Sequence, residues 1–129
     1  MEFRDLKTQY MHHKEAIDGA IAKTVANAHF IGGEPVASLE EALADYVGVK
    51  HCISCANGTD ALLLSLMAWG VGEGDAVFVP DFTFFSTAEV VPWVRAVPVF
   101  VDIDKDTFNM SPQALEKAIA AVKAEGRLT

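Results

Sequence analysis

Cysteine and positive charge are both scarce in this sequence. Two cysteines in 129 residues are too few for the disulfide framework that holds small secreted domains together. Lysine and arginine number 10 against 18 acidic residues, giving a formal charge of −8 and a pI near 4.8. No basic stripe interrupts that balance, which excludes a nucleic-acid backbone or an anionic membrane as main partner, since both reward clustered cations. No apolar run reaches the roughly 18 residues of a membrane span. Met1-Glu2-Phe3-Arg4-Asp5 also lacks the basic start and apolar core of a leader, so a cytoplasmic location is expected.

Apolar residues, by contrast, are plentiful. They make up 51% of the chain and the mean hydropathy is +0.23, which excludes a disordered chain, while the length suits one domain. The two cysteines fall together in Cys52-Ile53-Ser54-Cys55, a spacing that suits a redox dithiol or, with His51, half of a zinc site. Redox dithiols open a helix, however, and this pair lies in an apolar run that reads as a strand, where residues three apart point to opposite faces. Buried structural thiols are therefore expected.

Apolar positions Leu6, Tyr10, Ile17, Ala20, Ile21, Val25 and Ala28 predict an amphipathic helix over residues 6–28. His12 and His13 sit on its polar face; adjacent residues on a helix do not converge, so a solvated face is expected there rather than a metal site. Residues 29–35 contain Gly32, Gly33 and Pro35 and read as a turn. A second helix is expected over 38–47, with Leu39, Ala42, Leu43 and Tyr46 on one side, Glu40, Glu41 and Asp45 outward, and Gly48 as its stop.

From residue 49 onward, apolar runs alternate with helical spacing. Strands are predicted at 52–56, 76–80 and 96–101, the last two buried, and helices at 59–69, up to about 94 after the loop 81–87, and from 112 to about 123. Ser111-Pro112 is an N-cap followed by proline at the first helical position. This alternation predicts an α/β fold with a mainly parallel sheet and flanking helices, divided into N-terminal helices (1–48) and β/α units (49–129).

Ligands of such sheets gather at the carboxyl ends of the strands. The turn Asn57-Gly58-Thr59 falls at that end. Gly58 permits close approach, Thr59 adds a hydroxyl, and the unpaired N–H groups of the following helix favour an anion such as a phosphate. The same three residue types also cap helices that bind nothing. The loop Asp81-Phe82-Thr83-Phe84-Phe85-Ser86-Thr87 adds rings and hydroxyls, and the two loops together suit a planar phosphorylated ring. A third loop, Asp102-Ile103-Asp104-Lys105-Asp106, lacks the glycine and later glutamate of a calcium loop; a solvated turn is expected there, and no metal.

These pieces resemble the DegT/StrS type of pyridoxal-phosphate-dependent nucleotide-sugar aminotransferases, which have the aspartate aminotransferase (type I) fold. The resemblance rests on Phe3-Arg4-Asp5-Leu6 with Gln9-Tyr10, Phe30-Ile31-Gly32-Gly33 with Leu39-Glu40, and Asn57-Gly58-Thr59-Asp60-Ala61-Leu62. It continues through Gly74-Asp75, Pro80-Asp81-Phe82-Thr83-Phe84, Ser86-Thr87-Ala88, and Pro98-Val99-Phe100-Val101-Asp102-Ile103-Asp104. The order and spacing of these pieces carry the likeness.

The resemblance implies several roles. Gly58 and Thr59 match the turn that holds the phosphate of pyridoxal 5′-phosphate, and Phe84 matches the ring that stacks on the pyridine; Ser86 and Thr87 are further candidate contacts. The 30–34 loop matches a region near the dimer interface and the sugar end of the site. Members of the family run to about three times this length, the size of a two-domain enzyme, so the chain reads as the N-terminal portion of the large domain. The Schiff-base lysine, the carboxylate facing the pyridine nitrogen and the small domain are expected elsewhere, because none of Lys7, Lys14, Lys23, Lys50, Lys105, Lys117 or Lys123 stands in a matching context. No catalytic residue is therefore assigned, and the chain alone is expected not to transaminate.

In full form the resemblance implies a homodimer that transfers an amino group, usually from glutamate, to a keto-sugar nucleotide. A free-standing phosphate- or cofactor-binding α/β module without catalysis is the alternative. A small redox protein using Cys52 and Cys55 is a third reading, disfavoured by the strand expected there. The type I fold also places the first strand apart from the next two, with later strands between them.

Overall fold

The computed structural model describes residues 3–126 and Leu128; what was read on Met1, Glu2, Arg127 and Thr129 lies outside these residues. The element order is α1 (Leu6–Asn27), α2 (Glu34–Val47), α3 (Gly58–Ala68), β1 (Ala76–Pro80), α4 (Ser86–Trp93), β2 (Val97–Val101) and α5 (Pro112–Glu125). The chain divides into two compact units, Met1–Ser54 and Cys55–Thr129.

In the first unit, Asp5 opens α1 by accepting the backbone N–H of Thr8 at 2.9 Å and its hydroxyl at 2.6 Å. This cap supplies acceptors that the first turn cannot find within the helix. The expected helix is present, but none of its residues is buried, so the apolar face read from its sequence packs into no core among the described residues. The second helix begins at Glu34, four residues before the sequence suggested, because Pro35 sits in its first turn, where a missing N–H costs nothing. Gly33 precedes it at φ 85, and a Cβ there would come within 3.0 Å of the His29 ring. Only Ala44 is buried in α2. Leu39, Leu43 and Tyr46 stay exposed, and Glu40, expected to point outward, instead accepts hydrogen bonds at 2.7 Å from both the N–H and the hydroxyl of Ser54.

In the second unit, β1 and β2 pair in parallel from Ala76↔Val97 to Pro80↔Val101. A parallel pair requires a crossover, which α4 supplies. The core is Leu66 of α3, Val79 of β1, Val90 and Val91 of α4, and Ala96, with Leu63, Val71, Val77, Ala88 and Val94 packed around it. The strands are less buried than their apolar runs suggested: Val79 and Val101 are inside, while Phe100 remains 60% exposed. A two-stranded sheet leaves one edge of each strand unpaired, and burial of every residue needs neighbours on all sides.

The strand expected at residues 52–56 is absent, and the segment has no regular structure. A strand is defined by its ladder, and this segment finds no partner strand among the described residues. The thiols follow suit: Cys55 is exposed and Cys52 half-buried, so neither is the buried core thiol that the strand reading implied. No helix among the described residues is long and apolar enough to cross a membrane.

Candidate functional site

The site residues are positioned by three loops of the second unit. Residues 69–75 lead from α3 into β1, and the loops that follow β1 and β2 mark the end of the sheet where both strands finish. The loop 81–85, leading from β1 to α4, lies at that end, as does the loop 102–111, leading from β2 to α5. Helices α3 and α4 pack against each other.

The turn before α3 is built by Asn57. Its backbone is extended, at φ −166 and ψ 176, its side-chain oxygen accepts the N–H of Asp60 at 2.9 Å, and its carbonyl accepts the N–H of Ala61 at 3.1 Å. The backbone N–H groups of Gly58 and Thr59 have no partner among the described residues. They stand at the positive end of the helix dipole, an arrangement suited to an anion. Gly58 is not in a left-handed conformation, and a Cβ built on it would meet nothing within 4 Å. Neither backbone strain nor internal packing therefore asks for glycine at this position.

In the loop 81–85, Phe84 is 77% exposed and has no ring partner among the described residues. The hydroxyls of Thr83 and Thr87 lie 3.0 Å apart, spanning Phe84. Ser86 is the first residue of α4 and is buried, whereas Thr87 is half-buried. The loop is tied to the sheet by the N–H of Asp81, which donates to the carbonyl of Val101 at 3.0 Å.

The acidic loop is an exposed, self-bonded turn, in keeping with the solvated turn expected from the sequence. One carboxylate oxygen of Asp104 accepts the N–H of Thr107 at 2.9 Å, the N–H of Asp106 at 3.1 Å and the Thr107 hydroxyl at 3.1 Å. These bonds hold its pKa below the usual carboxylate value, the Thr107 N–H first, because they favour the charged form. Among the described residues no three His, Cys, Asp or Glu side chains gather as metal ligands.

Phe108 carries no recognisable signal in the residue order. It has a left-handed backbone at φ 58, and its ring lies 5.6 Å from that of Phe82, tilted by 38°. Left-handed phenylalanine is uncommon and is not encoded by any local pattern.

Residues 11–124 match the DegT/DnrJ/EryC1/StrS aminotransferase family. Over 119 residues the chain is 52% identical to the UDP-2-acetamido-2-deoxy-3-oxo-D-glucuronate aminotransferase of Pseudomonas aeruginosa, covering 92% of this chain and 33% of that protein. It is 44% identical over 115 residues to the UDP-N-acetyl-3-dehydro-alpha-D-glucosamine 3-aminotransferase of Acidithiobacillus ferrooxidans, covering 89% of this chain and 31% of the other. The crystal structure of a DegT DnrJ EryC1 StrS aminotransferase from Brucella abortus superposes with a TM-score of 0.95 at 53% identity, over 99% of this chain and 34% of that one. The chain thus spans about a third of the length of the relatives it matches, and its α/β arrangement corresponds to an incomplete type I domain.

Proposed function

The chain belongs to the DegT/DnrJ/EryC1/StrS aminotransferase family, whose aminotransferases depend on pyridoxal phosphate, and from that premise we propose that it forms the cofactor-holding part of such an enzyme. The whole enzyme transfers an amino group from glutamate to a keto-sugar carried on a nucleotide, acting as a cytoplasmic homodimer. The substrate class follows the relatives, which are named for oxo-sugars linked to UDP.

The observation that carries the assignment is the turn at Gly58. Two backbone N–H groups at a helix N-terminus have no partner among the described residues, and a Cβ on Gly58 would meet nothing within 4 Å, which fits a phosphate ester. In this reading the N–H groups of Gly58 and Thr59 and the Thr59 hydroxyl bind the phosphate. Phe84, whose ring is exposed, would pack against the pyridine ring, orienting it and keeping water from that side. Thr87, and Ser86 at the start of α4, shape the floor beside it.

The cofactor supplies an electron sink for the carbanion that forms when a proton leaves the amino carbon. Binding and orientation are the parts played by the residues above. Moving the proton calls for a Schiff-base lysine, and none of the lysines here stands in the family's context for one. We therefore propose that these 129 residues bind cofactor weakly and do not transaminate by themselves.

The test uses the full-length enzyme. Thr59→Ala and Phe84→Ala should each weaken pyridoxal phosphate binding in an absorbance titration, Thr59→Ala by about tenfold or more, as expected for one hydrogen bond to a charged group. Unchanged affinity in both variants overturns the site assignment. Transamination of a UDP-linked 3-keto sugar with glutamate, assayed on the same preparation, tests the reaction.

A further inference from the structure

The rings of Phe82 and Phe108 meet although each is more than half exposed within these residues, at 64% and 60%. Phe108 is also held in a conformation that L-residues avoid, and such a conformation persists only where its surroundings enforce it. The surroundings here are elaborate. The N–H of Phe108 donates to the Asp104 carbonyl at 2.8 Å, the N–H of Asp104 donates to the Asn109 carbonyl at 2.8 Å, and the N–H of Ser111 donates to the Asp102 carbonyl at 3.0 Å. Ile103 and Met110 form an antiparallel bridge, and the Asp104 carboxylate ties down residues 106 and 107. The acidic run thus builds a closed turn whose product is one ring, set beside Phe82.

Phe82 is two residues before Phe84. On one side of Phe84 the loop is fixed by the ring contact of Phe82 and the Asp81–Val101 hydrogen bond; on the other, by the Thr83–Thr87 hydroxyl pair. Phe84 itself stays open between them. We propose that Phe108 is a positioning residue: through Phe82 it sets the orientation of Phe84, and so the flat surface offered to the cofactor ring. This inference rests on the reading that Phe84 stacks on that ring.

The experiment uses the full-length enzyme, with cofactor affinity by absorbance titration, visible circular dichroism of the bound cofactor, and Tm of the cofactor-free protein. Phe108→Ala should weaken affinity about three- to tenfold, the range that the coupling of an aromatic pair converts to, and should change the dichroism, while Phe108→Tyr restores both. Phe108→Gly removes the ring and also relieves the left-handed backbone, so it should fold at least as well yet show the same loss of affinity. In a Phe84→Ala background, Phe108→Ala should cause no further loss, because the two act as one unit.

An equal further loss in that background overturns the proposal. So does a Phe108→Gly enzyme with unaltered affinity and dichroism where Phe84→Ala alone weakens binding. If Phe84→Ala itself leaves affinity unchanged, the stacking assignment fails first and the positioning role falls with it.

Discussion

The two units of this chain are built from similarly apolar sequence but keep very different amounts of it from water. In Met1–Ser54, the buried apolar side chain among the described residues is Ala44, and α1 runs 22 residues without burying one. In Cys55–Thr129, Leu66, Val79, Val90, Val91, Ala96 and Val101 are all buried. The first unit is held locally, by the Asp5 cap, the Lys14–Asp18 ion pair and the Glu40–Ser54 hydrogen bonds. The second is held by valines from a strand and a helix meeting across a parallel ladder. Capping and i,i+4 pairs give a helix its ends and direction, but tertiary burial supplies most helical stability in proteins.

The largest test of this contrast substitutes the same residue in both units. Val91→Ala should destabilise the second unit by about 2 kcal/mol, the transfer and cavity cost of deleting two buried methyls. Val25→Ala, at a 60% exposed position of α1, should change stability by no more than about 0.5 kcal/mol. Urea denaturation resolves the two, because both tryptophans, Trp69 and Trp93, lie in the second unit. Their fluorescence follows that unit, while far-UV circular dichroism follows both. Equal shifts for the two variants would erase the distinction.

Caps provide the next test. Ser111 opens α5 by accepting the N–H of Ala114, and Ser111→Ala should cost about 1 kcal/mol, read as a lower urea midpoint in tryptophan fluorescence. Asp5→Ala removes the corresponding cap from α1, which has no packed face to lose. It should therefore lower helical ellipticity at low temperature and leave the fluorescence midpoint where it was.

The smallest effect is in pH. Glu40 is held below the usual carboxylate value, first by the Ser54 N–H and then by its hydroxyl, and Asp104 by its own loop. A depressed folded-state pKa means stability that is fully present above the unfolded carboxylate value and lost as pH falls through the depressed one. On acidification, the amide of Ser54 should therefore gain hydrogen-exchange rate relative to the rest of its segment. Glu40→Gln should remove that pH dependence without altering the exchange of the β1 and β2 amides.

Much of the fold was legible in residue order. β1 was expected at 76–80 and lies there; α3, α4 and α5 each fall within a few residues of their predicted bounds, because their apolar spacing and caps are local signals. The segment 52–56 misled because its apolar run satisfies the composition of a strand and not its condition, which is a neighbour to pair with. Pro35 misled in the opposite sense, read as a turn when it opens α2. At the candidate site, Gly58 and Thr59 were singled out because a turn between a strand-like run and a helix leaves a residue-level trace, whereas Phe84 was singled out by the family resemblance. Phe108 was not, because its left-handed backbone and its contact with Phe82 depend on bonds made by residues 102–111 together.

Sequence by itself carried the likeness to the family, and it determined the alternation of helices and strands and the chemistry available at the turn before α3; the last two follow from short-range spacing, capping and charge. Tertiary structure alone decided which apolar residues are inside. It closed a valine core between α3, α4 and the sheet, left α1 unburied, denied residues 52–56 a ladder and brought Phe108 to Phe82. Burial and strand pairing are properties of what stands opposite a residue, and that is set by the packing of distant segments rather than by the residue's neighbours in the chain.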